Sequence, residues 1–231
     1  MTHSSIHHDK STYHPYANTL RVLLPNTTVI ESGVSGERVE NMRNRLKVEM
    51  NDRASSMTSP LVVVILGGTN NIGARSPVAS TAKDIIGMHE DLRALLEEGE
   101  GGSSSKRVVH TVAMTLPSFP MDHLREPRLE LNALIREYAA QSQGITLLLD
   151  IEDLFIMQPC NPPKSSTNSQ HFPHSHSVAG AQCRDNKVPY DPANRQFWDA
   201  RSPLHFSKAG YDALGRIVFE RLCGDKSYFT K

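Results

Sequence analysis

Apolar, β-branched runs alternate along this chain with stretches whose apolar residues recur at helical period. That pattern arises when crossover helices cover a parallel sheet. TTVIESGV (27–34) predicts a first strand, and GERVENMRNRLKVEM after it a helix. LVVVILGG (61–68) is almost uniformly apolar, as a strand buried on both faces should be. Ser80 can cap the next helix, whose Ala82, Ile85, Ile86, His89, Leu92, Leu95 and Leu96 share one face. RVVHTVAMTLP (107–117) predicts another strand, then comes a helix near 125–142, and ITLLLDIEDL (145–154) is the last strand. A final helix follows Ser207 as its N-cap, with Tyr211, Leu214, Val218 and Leu222 as the inward stripe.

Residues 157–196 break the pattern, being rich in Pro, Ser, Asn and His without an apolar period, and read as a surface insertion. His171, His174 and His176 within it lack a second ligand cluster at metal spacing and Pro173 interrupts them, so no metal is expected. Residues 1–12 read as a disordered start. With 231 residues the whole is expected to form a single α/β domain.

Lys+Arg and Asp+Glu both number 25, and no long basic run offers a phosphate-neutralising surface, so nucleic acid is not an expected partner. Cys160, Cys183 and Cys223 lack CxxC spacing, which argues against a disulfide framework or zinc ribbon; a single Cys160–Cys183 bridge is the alternative. No apolar run approaches the ~20 residues of a membrane span. The first twenty residues also lack the apolar core of a signal peptide, so the chain reads as cytoplasmic as it stands.

Chemistry concentrates at three places. GVSG puts Gly36 at a helix start, where backbone N–H groups favour negative charge. GGTNN places Asn70 and Asn71 past the carboxyl end of the 61–68 strand, where a glycine pair and a side-chain amide can hold an oxyanion. LHFSKAGY places His205 on the loop before the last helix, in the neighbourhood where open α/β sheets build their sites.

In this order the three motifs resemble the SGNH, or GDSL-type, esterase and lipase family, whose second block supplies a glycine N–H, whose third reads G-x-N-D and whose fifth reads D-x-x-H. The resemblance runs from about Tyr13 to about Leu222. It implies a three-layer, flavodoxin-like α/β domain with a parallel sheet ordered 2-1-3-4-5. It also implies hydrolysis of a small-molecule ester or O-acetyl group by a serine nucleophile, with no metal or cofactor. Gly36 and Asn70 would be the oxyanion donors and His205 the general base.

The family pattern is broken at three positions. Asn71 stands where Asp is usual. Ser202 occupies the place of the aspartate three residues before His205, and Asp199 is the carboxylate that could substitute. No G-D-S block carries the nucleophile, the serines nearest its place being Ser4 and Ser5, and the first central strand is missing with it. The chain is therefore expected to be catalytically incomplete, Met1 being internal to a longer product that begins with a strand ending in G-D-S and that could carry a secretion signal. The alternatives are a non-catalytic derivative that binds an acyl or sugar ligand and, further off, a flavodoxin-like domain with another ligand.

Overall fold

A computed structural model describes residues 15–54, 61–97, 109–119, 121–155, 196–199 and 204–224. They fall into two compact units, one of Val34–Leu154 and one of Met1–Gly33 with Phe155–Lys231.

In the Val34–Leu154 unit, three parallel strands stand in the order β1 (Leu61–Ile65), β2 (Val109–Met114) and β3 (Thr146–Leu149). Leu61 pairs with Val109 through to Ile65 with Ala113, and Thr111 with Thr146 through to Met114 with Leu149. Parallel neighbours require crossovers. Here α3 (Thr69–Gly73) and α4 (Val78–Glu97) join β1 to β2, and α5 (Arg125–Gln141), after a 3-10 turn at Asp122–Leu124, joins β2 to β3. Helices α4 and α5 lie against the sheet, and α2 (Val39–Ala54) packs on α4. The α/β class, the parallel sheet and the relative order of these three strands are as the sequence predicts.

The core follows the apolar stripes. Ala82, Ile85, His89 and Leu92 of α4 are all buried, while the helix starts at Val78, two residues ahead of the expected Ser80 cap. The buried hydroxyls of Thr111 and Thr146, opposite each other in the ladder, satisfy one another at 2.8 Å.

TTVIESGV is not a strand. Residues 27–34 have no ladder partner among the described residues, and Ile30 and Val34 are exposed. A β-rich run becomes a strand only when a neighbour takes its N–H and C=O groups. The same shortage shows at β1, which has β2 as its one neighbour among the described residues. Its Leu61–Val64 stay half-buried although every side chain is apolar, whereas Thr111–Met114 of the central strand are buried throughout.

In the other unit, α1 (Tyr16–Leu23) packs along α6 (Lys208–Gly224), tied by Thr19 Oγ1 donating to Asp212 Oδ1 at 2.7 Å. Leu214, Val218 and Leu222 form the buried stripe of α6 as predicted, with Tyr211 half-buried. Ser207 is its N-cap, the Gly210 N–H donating to Ser207 Oγ at 3.2 Å.

His89 is fully buried, its ring 5.6 Å from that of Tyr138, and neither ring nitrogen has a partner among the described residues. Burial, helped by the charge of Arg93, pulls its pKa from the ordinary 6.5 to about 4. The unfolded chain therefore takes up the proton first. Stability is full above pH 6.5 and falls as pH drops toward 4, by about 3 kcal/mol over that window. Replacing His89 with Leu is expected to remove this part of the pH dependence without loss at pH 7, read as urea midpoints at pH 7 and 4.5. An unchanged acid slope in the variant would contradict it.

Candidate functional site

After β1 the chain passes through Gly67 and Gly68 into α3, carrying Asn70 and Asn71 on its first turn. Gly68, at φ +110, holds a conformation that side chains rarely adopt, and this turns the chain sharply at the strand end. Both asparagines reach back to the segment entering α2. Asn70 Nδ2 donates to the Glu37 carbonyl at 2.8 Å. Asn71 Oδ1 accepts from the Val39 N–H at 3.0 Å, and its Nδ2 donates to Glu40 Oε2 at 2.8 Å.

Gly36 lies three residues ahead of α2 rather than at its start. It is the third residue of a turn closed by the Glu37 N–H on the Val34 carbonyl at 3.3 Å, and its φ of +77 suits glycine there. Gly36 and Asn70 are both exposed, whereas Asn71 is buried. The Glu40 carboxyl is held below the usual carboxylate range, first by a backbone N–H and then by the Asn71 amide.

In the other unit, His205 and Asp199 come together through a short antiparallel pairing. Trp198 opposes Phe206, with Asp199 N–H donating to the His205 carbonyl at 2.9 Å and Ser207 N–H to the Phe197 carbonyl at 2.8 Å. Trp198 and Phe206 thus form a pair not joined by its own hydrogen bonds, the arrangement that brings side chains closest, and their rings lie 4.7 Å apart. Phe155 packs 4.7 Å from Phe206, and its carbonyl accepts from Trp198 Nε1 at 2.9 Å. Alternation along the pairing buries this aromatic pair and leaves His205 exposed. Asp199 is half-buried, and its charge adds to burial in pushing the Tyr211 hydroxyl up.

A third group was not anticipated from the sequence. Past the ends of β2 and β3 the backbone continues as a pair through Thr115 N–H on the Leu149 carbonyl (3.2 Å) and Ser118 N–H on the Glu152 carbonyl (3.0 Å). Asn132 of α5, fully buried, accepts from the Leu116 N–H at 2.7 Å and donates to the Leu116 carbonyl at 2.9 Å. Its amide also donates to Glu152 Oε2 at 3.1 Å. Arg128 donates to Glu152 Oε1 at 2.9 Å, and Arg136 bonds both Glu152 and Asp150. Burial pushes the Asp150 carboxyl up, but Arg136 and the Thr115 hydroxyl outweigh it and hold the group below the usual range. The one signal in the sequence is the spacing of Arg128, Asn132 and Arg136, which lays a polar stripe along one face of α5.

Ser4, Ser5, Ser202, His171, His174, His176, Cys160 and Cys183 lie outside the described residues. Among the described residues no cluster of His, Cys, Asp or Glu is suited to a metal, and no helix is long and apolar enough to cross a membrane.

The model of the GDSL-like Lipase/Acylhydrolase family matches residues 2–213. No curated protein and no solved structure matches the chain.

Truncating Asn132 to Ala leaves both backbone groups of Leu116 and one Glu152 bond without a partner in a buried place. A loss of about 3 kcal/mol is expected in urea unfolding. A loss below about 1 kcal/mol would mean that water replaces the amide.

Proposed function

Because the chain belongs to the GDSL-like lipase/acylhydrolase family, we propose that it is an SGNH-type ester hydrolase acting on a carboxylic ester or O-acetyl substrate, with its serine nucleophile supplied by a segment outside the recognisable motifs. The family match over residues 2–213 carries this reading. In the proposed roles His205 takes the proton of the serine and returns it to the leaving alcohol, while the Gly36 N–H and the Asn70 amide hold the oxyanion. The exposure of His205 supports a base open to substrate, and the exposure of Gly36 and Asn70 supports donors open to an oxyanion. One of the two N–H bonds on Asn70 Nδ2 is engaged by Glu37, and the second is the one proposed to face the oxyanion.

Of the two candidates for orienting His205, Asp199 is favoured over Ser202. Its backbone is bonded to that of His205, and a carboxylate stabilises the imidazolium with a full charge. The nucleophile is proposed to arrive on a strand lying along the edge of β1 that has no neighbour among the described residues. The half-buried apolar residues Leu61–Val64 support that position.

Without a nucleophilic serine a hydrolase of this type forfeits on the order of a millionfold in turnover, roughly 8 kcal/mol of barrier. The chain alone is therefore expected to hydrolyse a short-chain chromogenic ester negligibly. The same chain joined at its start to a family-type apolar strand ending in Gly-Asp-Ser should turn the ester over. His205→Ala should then abolish turnover, and Asp199→Asn should lower kcat more than Ser202→Ala does. An extended chain that stays silent would instead favour the non-catalytic acyl- or sugar-binding derivative.

A further inference from the structure

Asn71 occupies the position where the resembled motif carries aspartate, and both ends of its amide are in use. The oxygen accepts from the Val39 N–H, one of the first-turn donors of α2 that no helical carbonyl can reach. The nitrogen donates to Glu40, the next residue of the same turn. A carboxylate at position 71 would still serve Val39, but it would set a second negative charge against Glu40 Oε2 in place of the donor now 2.8 Å away. Asn71 is 3% exposed, so such a charge would have little water to screen it.

The segment that Asn71 holds is fixed from other sides as well. Asn70 takes the Glu37 carbonyl, and Arg45 grips the Glu37 carboxylate with two hydrogen bonds, of 3.0 and 2.6 Å. Gly36 leads directly into this clamped stretch, in a turn whose own closing bond is a long 3.3 Å.

We propose that Asn71 is a positioning residue matched to Glu40: the amide at 71 and the carboxylate at 40 form one latch that sets the Gly36–Glu40 segment, so an aspartate at 71 is tolerated only with a donor at 40. The lowered pKa of the Glu40 carboxyl agrees with this, the Asn71 amide being its second cause after a backbone N–H. The bearing of the latch on catalysis rests on the proposed role of Gly36 and Asn70 as oxyanion donors. The latch itself does not, and its test requires no turnover.

The test is a double-mutant cycle on the 231-residue chain, following urea unfolding from pH 4 to 8 with Asn71→Asp, Glu40→Gln and the two combined. Asn71→Asp should lower the folding equilibrium constant at pH 7 by roughly tenfold or more. Two facing carboxylates raise a folded-state pKa, so that deficit should shrink as pH falls and one of them takes up a proton. Glu40→Gln alone should change the constant by less than about threefold, because its side-chain carbonyl still accepts from Asn71. The combined variant should return to within about threefold of the parent, since the amide introduced at position 40 can donate to the carboxylate introduced at position 71. The Gly36 and Glu37 amide resonances should move in Asn71→Asp and return in the combined variant. If Asn71→Asp does not fold, recovery of the fold in the combined variant supports the latch, and failure of that variant to fold overturns it. Asn71→Asp as stable as the parent at pH 7, or destabilised without rescue by Glu40→Gln, would also overturn it.

Discussion

Backbone outside a strand ladder must still pair its N–H and C=O groups, and two buried asparagine amides do this at the segment after β2 and at the start of α2. Asn132 faces Leu116 with a donor and an acceptor side by side, much as a neighbouring strand would. Asn71 caps the Val39 N–H from a separate helix and turns its other end to a carboxylate. Neither an aspartate nor a serine offers an acceptor oxygen and an amide donor at this span, so the choice of residue follows from the geometry of what has to be bonded.

Charge reinforces the amide of Asn132. Glu152 is 5% exposed and accepts from Arg128, Asn132 and Arg136. A carboxylate this deep is tolerable when its oxygens are bonded in this way, and loss of a single donor would leave the charge uncompensated. The result is a bonded seam joining α5 to the segments that follow β2 and β3. Open α/β sheets build their sites beyond the carboxyl ends of such strands.

Where one stretch of chain carries its own explanation, the sequence was legible. The uniform apolar run of β1, the stripes of α4 and α6, and Ser207 before α6 each state their structure locally, and His89 on the α4 stripe was legible as core. What failed depended on distant partners. TTVIESGV has the composition of a strand, but a strand exists only with a neighbour, and none stands beside it among the described residues. Asn71 read as a family aspartate that had lost its charge, because Glu40 is 31 residues away in the chain and the bond between them is invisible in one sequence. The stripe of Arg128, Asn132 and Arg136 was visible in α5, yet nothing local named Glu152 as its target. Asp199 was legible only as a carboxylate near His205, and the antiparallel pairing of Trp198 with Phe206 supplies the backbone bond that joins them.

The most direct measurement on the central claim, an ester hydrolase with His205 as its base, is covalent capture of the nucleophile in the protein purified from its native cells. A fluorophosphonate reacts with a serine that a neighbouring base has activated, and mass spectrometry of the digest locates it. One modified serine is expected, with modification lost in His205→Ala. Modification at another serine that His205→Ala leaves unaffected, or no modification of the native protein, would contradict it.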